Sequence, residues 1–384
     1  MIKTPDFESC FADLIAIPSV SSIDPAHDQS NQQVIDALAN WFHGLGFACE
    51  IVAVSQNPDK FNLIATLGSV EQRSGLVLSG HTDTVPFDES GWDTDPFKLT
   101  SKDENYYGLG TADMKSFFPI ILEALKRIEI AKLQKRLTIV ATADEESTMN
   151  GARILTRESV KGDYCIIGEP TGLNPIHSHK GIIIESFKLT GRSGHSSNPA
   201  FGNSAMEGMH MVMTSLMQWR TELQASFYDD SFKVPVPTMN FGRIHGGDSP
   251  NRICAECELS LDLRVMPGMD TTELQKSLKE RIQDALDNTG LKLDFTSKVL
   301  PVPPMHTDMH SEIVKHSETL TGHHSACVTY CTEGPFFNDM GMETVILGPG
   351  DIDVAHQPNE YLQQERIEPM IDVLSKLIMQ FCGK

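Results

Sequence analysis

Basic residues are scarce in this chain. Lys and Arg total 31 against 52 Asp and Glu in 384 residues, a formal net charge of −21 at pH 7. Neutralising nucleic-acid phosphates requires clustered Lys and Arg, and no basic block interrupts the acidic background. Neither a nucleic-acid partner nor an anionic membrane surface is therefore expected. Long hydrophobic runs are missing too: stretches such as 182–184 and 117–122 fall far short of the ~18–20 apolar residues of a membrane span. The opening MIKTPDFESCFADLIAIPSV has no basic stretch leading into an apolar one, so no export signal is expected. Cysteines number only eight, scattered singly from Cys10 to Cys382, which excludes a disulfide scaffold and suits a reducing cytoplasm. The nearest pair, Cys254 and Cys257, lies in the alternating segment RICAECELSLDLRV. That pattern puts Cys257 with Leu259, Leu261 and Leu263 on one face, and Cys254 with Glu256, Asp262 and Arg264 on the other, so the two are not expected to share a metal. There is no Gly-Lys-Ser/Thr phosphate loop, and Gly108-Leu-Gly110 is too short for a dinucleotide fingerprint.

What is present is ample core material, with hydrophobic residues making up 40% of the chain and no low-complexity tract. A single core rarely grows past ~250–300 residues, so two domains are expected. Through the first 180 residues helical and strand patterns alternate, the signature of an α/β layer structure with a mostly parallel sheet. Val34, Leu38, Trp41 and Leu45 form a helical stripe, and so do Phe117, Ile121, Leu125 and Ile128; residues 75–79, 136–143 and 164–167 read as buried strands. From Gly181 the order becomes β-α-β-β-α-β, with a Met-striped helix (Met206, Met209, Met213, Leu216) and a second helix opened by the capping box Asp270/Glu273. Residues 181–295 are expected to form an inserted smaller α+β domain, with 1–180 and 296–384 rejoining as a discontinuous catalytic domain. Pro301-Val-Pro-Pro304 marks the return, followed by a strand at 344–347 and a helix along Ile367, Met370, Ile371, Leu374 and Ile378.

The chemistry-bearing residues follow strands, where open α/β sheets place ligand sites. His81-Thr-Asp83 comes directly after GLVLSG; in extended backbone these two side chains share a side, so His81 can ligate a metal while Asp83 takes its other ring N–H. Gly108-Leu-Gly-Thr-Ala-Asp113 presents Asp113 at a helix start, where a capping role alone would explain it. Ala143-Asp-Glu145-Glu146, Gly168-Glu169-Pro170 and His356, after the turn Gly348-Pro-Gly350, complete the set. Two histidines and several carboxylates at one sheet edge suffice for two metals sharing a bridging carboxylate. Without cations such acids would repel and protonate.

HTDTVP, YGLGTADMK, ADEES, GEPT, GRSGHSS, NRI, DLRVMPG and GPG, in this order, resemble the dinuclear-zinc aminoacylase and carboxypeptidase family of metallohydrolases. The resemblance covers nearly the whole chain and extends to YCTEGPF and LGPGDIDVAHQPNEYL. It implies that His81 and Glu169 bind one metal, Glu146 and His356 the other, and Asp113 both. Zinc is implied, with cobalt a possible substitute. It further implies Glu145 as general acid/base, Asp83 as the residue orienting His81, and a homodimer in which His195 reaches across the interface to stabilise the oxyanion. The substrate would be a small N-acyl amino acid. Asn251 and Arg264 are candidates for its carboxylate, although Glu256 or Asp262 could simply pair with Arg264. Glu333, in a Gly/Pro-flanked loop, is a candidate for a side-chain ammonium. A succinyl-diaminopimelate desuccinylase, a broader acyl-amino-acid hydrolase, and an inactive metal- or peptide-binding dimer are the alternatives. Retention of Glu145 with His195 favours an enzyme. Ser116 stands where many relatives carry glycine, which leaves the backbone near the bridge open to question. His306 and His310 lack the Glu of a zincin helix and are expected at the surface. His177, His179, His323 and His324 have no carboxylate company.

Overall fold

A computed structural model describes residues 5–55, 57–68, 75–297 and 299–383. It divides into two compact units, one of residues 1–177, 306–326 and 332–384, the other of 178–305 and 327–331.

The first unit is built on a large mixed sheet. The strand Leu76–His81 lies parallel between Leu137–Thr142 and Tyr164–Ile167, and Glu343–Ile346 extends the parallel set beyond Tyr164–Ile167. On the far side of Leu137–Thr142, Asn57–Leu67 and then Ala48–Val54 pair antiparallel. The central strands are buried along their whole length, which is why their sequences run apolar without alternation. Helices Phe7–Ala16 and Ile367–Cys382 pack against Phe117–Lys126, which accordingly buries Phe118, Ile120 and Leu122 as well as the expected Phe117, Ile121 and Leu125; the fourth expected position, Ile128, lies past the helix end and is half-buried. Gln32–Gly44 buries Val34, Ile35, Leu38, Trp41 and Phe42.

Helix Phe117–Lys126 is flanked by Ser116, whose φ of −59° and ψ of −25° are helical. The side chain at Ser116 therefore fits the backbone without strain. Asp113 lies three residues upstream of this position and is not the cap.

The second unit has an antiparallel sheet in the order Thr238–Gly246, Glu256–Val265, Gly181–Thr190, Lys292–Phe295, with helices Ala205–Ser226 and Thr271–Ala285. Asp270 caps the latter by accepting from the Thr272 and Glu273 N–H groups at 2.8 and 3.1 Å. Met206 is exposed, in the first turn of its helix and outside the buried line of Met209, Val212 and Leu216. One expectation is corrected here. Cys254 is buried in the core, because the strand begins at Glu256 and its alternation does not reach back that far. All eight cysteines are unbridged. Among the described residues no helix is long and apolar enough to cross a membrane.

Candidate metal centre

Five strand ends and turns of the first unit bring the expected groups together. His81 closes the central strand Leu76–His81 and is 1% exposed. Its Nε2 lies 2.9 Å from Asp113 Oδ1 and 3.8 Å from Glu169 Oε2. The other oxygen of Asp113 is 3.2 Å from His356 Nε2, which also sits 3.0 Å from Glu146 Oε1. Asp113 thus shows one oxygen to each histidine, the disposition of a bridging carboxylate. Ligand atoms of His81, Asp113 and Glu146 lie within 4.8 Å of one another, as do those of His81, Glu145 and Glu169. Distance alone therefore leaves Glu145 open as a ligand.

Asp83 acts differently from the expectation. The partner of His81 Nδ1 is the Asp83 backbone carbonyl at 3.0 Å, while the carboxylate stays 3.8 Å away. The side chain instead accepts from the Glu145 and Glu146 N–H groups at 3.3 and 3.1 Å. Asp83 thereby holds both the histidine tautomer and the turn carrying the acidic pair. That turn begins at Asp144, with φ of 61°, whose carboxylate meets the fully buried Lys60 at 3.2 Å and Ser21 Oγ at 3.0 Å.

The electrostatics are those of an acid cluster short of positive charge. Burial, then Glu169, pushes Glu145 well above the usual carboxylate range. Burial and Asp113 raise Glu146, against the hydrogen bond from His356. Glu169 goes up to about 7, through burial and then Asp113. Burial opposes charge on Asp113 and His81 as well, but Asp113 is held low by His356 and His81, and His81 is raised by Glu169 and Asp113. Hydrogen bonds to Asp113 and Glu146 lift His356 to about 11. Two imidazoles among four buried carboxylates, with Glu169 Oε1 lacking any hydrogen-bond partner, form a donor set that cations complete. Mixed nitrogen and carboxylate donors suit zinc or cobalt.

Glu333 lies near the centre and feels the charges of His81, Glu169 and Asp83. Its side chain is 0% exposed, Oε2 accepts from Thr142 Oγ1 at 2.8 Å, and burial raises it to about 8. Among the described residues its Oε1 has no hydrogen-bond partner.

The remaining candidates belong to the second unit. His195 is exposed, with Nδ1 2.8 Å from Ser197 Oγ. Asn251 accepts from Ser249 Oγ at 2.6 Å. Arg264 pairs through Nε and Nη2 with Asp262, both at 3.0 Å, while Glu256 turns to Lys188. The simpler pairing thus exists, and Arg264 nonetheless keeps a face on a cavity of about 320 Å³ lined by Lys180, Thr238, Thr329 and Tyr330. His306 and His310 are exposed, as expected. His179 is fully buried, and its desolvation lowers it to about 4.

Sequence reasoning missed Glu360 and Lys115. Lys115 is buried and donates to the Leu14 and Ile17 carbonyls at 3.2 and 2.8 Å. Glu360 accepts three backbone N–H groups of the loop that carries Asp113. Its one sequence signal was membership of the motif HQPNEYL.

Comparison with known proteins gives the family. The family model described as Peptidase family M20/M25/M40 matches residues 77–380. Acetylornithine deacetylase of Pasteurella multocida (strain Pm70) is 47% identical over 383 residues, covering 100% of both chains. That of Vibrio campbellii is 46% identical over 382 residues, covering 99% of this chain and 100% of the other. Among solved structures, a tripeptidase from Staphylococcus aureus aligns with a TM-score of 0.75 at 22% identity, covering 98% of each chain. An M20 family metallo-carboxypeptidase from Sulfolobus solfataricus gives 0.76 at 18%, over 97% of this chain and 98% of the other. A match across most of the length, joined to relatives that align end to end, makes this chain a member of peptidase family M20/M25/M40.

Proposed function

We propose that this chain hydrolyses the amide of N2-acetyl-L-ornithine to acetate and L-ornithine, a step toward arginine, with two divalent metal ions. The observation that carries the reading is Asp113, with one oxygen on His81 and the other on His356 amid buried acids. Full-length relatives named acetylornithine deacetylase supply the substrate. His81, Glu169 and Asp113 would hold one ion and Glu146, His356 and Asp113 the other, zinc being the first choice and cobalt a substitute. Bound ions would supply Lewis-acid polarisation of the acyl oxygen and a water whose pKa falls toward ~7.

Glu145 does the proton work. Its carboxylate takes a proton from the attacking water as the C–O bond forms, then passes it to the α-nitrogen as the C–N bond breaks. The two steps consume one water, and the acid formed gives its remaining proton to the released amine, so the products are acetate and the ammonium form of ornithine. Asp83 keeps the Glu145 turn in place through two backbone hydrogen bonds.

The second unit completes the reading. His195 donates to the oxyanion from the neighbouring subunit of a homodimer, and Asn251 and Arg264 receive the substrate carboxylate. Support for self-association comes from exposed Met206, Met211 and Met217 on one helix and exposed Ile244 on the edge strand Thr238–Gly246. Eight unbridged cysteines support a cytoplasmic location.

A panel of N2-acetyl-L-ornithine, N-succinyl-diaminopimelate and N-acetyl-L-methionine tests the substrate. The largest kcat/KM belongs to acetylornithine in this reading. A preference for the succinyl compound refutes it, and inactivity on all three points to a binding protein.

A further inference from the structure

The loop from Gly108 to Asp113 is a run of turns, in which Thr111 N–H donates to the Gly108 carbonyl at 3.2 Å and Lys115 N–H to the Gly110 carbonyl at 2.9 Å. Gly108 and Gly110 have φ of +155° and +83°, and the following helix starts only at Phe117. Neither turn bond uses the Ala112 or Asp113 N–H group. Those two donors are bound by Glu360, which is 2% exposed. Its Oε1 accepts from the Ala112 and Asp113 N–H groups at 2.7 and 3.0 Å, and its Oε2 from Gly110 N–H at 3.0 Å. The Glu360 carbonyl accepts a fourth bond from Gly108 N–H at 3.1 Å. Converging backbone N–H groups make an anion cradle, and here the anion belongs to the protein.

We propose that Glu360 is a positioning residue: it locks the Gly108–Asp113 loop so that Asp113 presents one oxygen to each histidine. The assignment rests on the dinuclear reading above. It also ties the two halves of the centre together, because His356 lies four residues before Glu360 on the same segment. One short stretch of chain thus carries a metal ligand and the anchor of the bridging group. Removing the anchor leaves the Ala112 and Asp113 N–H groups buried without an acceptor and frees the bridge to move.

Two full-length variants test this. Glu360→Gln keeps the shape but sets an amide N–H₂ against one backbone donor. Glu360→Asp keeps the charge and is one methylene too short for all three donors. Both are expected to fold with wild-type circular dichroism. Their affinity for cobalt, titrated into metal-free protein against a competing chelator, is expected to weaken about 10- to 100-fold. The visible cobalt spectrum should shift, and kcat should recover at saturating metal with KM unchanged. Glu185→Gln removes a buried carboxylate of the second unit and should leave cobalt affinity alone. Wild-type cobalt affinity in both Glu360 variants overturns the assignment, and so does failure of both to fold, which makes Glu360 a requirement of the fold. A wild-type protein that binds no cobalt sinks the dinuclear reading and this assignment with it.

Discussion

Replacing Glu145 with alanine separates two roles that distance alone allows it. Its carboxylate groups with His81 and Glu169 closely enough to be a ligand, yet the proposed mechanism leaves it free for protons. Without Glu145, each ion keeps three protein donors, so metal content should stay at two per chain. Loss of a general acid/base lowers turnover about 10²–10⁴-fold, which corresponds to about 3–5 kcal/mol of barrier. A second consequence follows from the acid cluster. Burial and Glu169 both oppose ionisation of Glu145, so its removal should raise the melting temperature of the metal-free protein at neutral pH. The assays are metal analysis after gel filtration, steady-state hydrolysis of acetylornithine, and thermal melts with and without chelator. Turnover within tenfold of wild type refutes the proton role; loss of one ion with the activity makes Glu145 a ligand instead.

Stability should fall in acid through His179. Its folded value near 4 lies below the ordinary 6.5, so between those pH values the unfolded chain binds a proton that the folded chain refuses. The contribution is present above pH 6.5 and lost as pH falls through 4, about 3 kcal/mol in all. Urea denaturation of wild type and His179→Gln across this window checks it, with a flatter profile expected for the variant and parallel profiles counting against the reasoning. Gly110→Ala should cost more than Gly46→Ala. Both positions have positive φ, but a Cβ at Gly110 meets Thr84 Cγ2 at 2.9 Å and one at Gly46 meets nothing within 4 Å. The first change should destabilise by about 1–3 kcal/mol, the second by nearer 1 kcal/mol. Equal melting temperatures would show that the loop yields to the added methyl.

The sequence was most readable where function follows local rules. Apolar runs such as 76–79 and 137–141 marked buried strands, and polar residues just beyond them marked the ligand edge, so His81, Asp113, Glu145, Glu146, Glu169 and His356 could be nominated together. What stayed hidden depends on distant chain. Glu360 and the Asp113 N–H it binds are 247 residues apart, and no periodicity distinguishes such an acid from a solvated one. Asp83 was assigned the right neighbour but the wrong atom, since spacing does not say whether a carbonyl or a carboxylate faces an imidazole. Glu333 reads as a loop acid, and no local pattern shows that it is buried with one oxygen on Thr142, 191 residues away in sequence. Cys254 departs from its pattern because the strand begins at Glu256, two residues after the position the alternation was extended to.

The most direct test of the dinuclear hydrolase reading is a metal titration read by activity. Full-length protein is stripped with a chelator, zinc is returned in known equivalents, and acetylornithine hydrolysis is followed at each point. The expected curve starts near zero and reaches its plateau at two equivalents per chain. Full activity in the stripped protein, or a plateau at one equivalent, would contradict it.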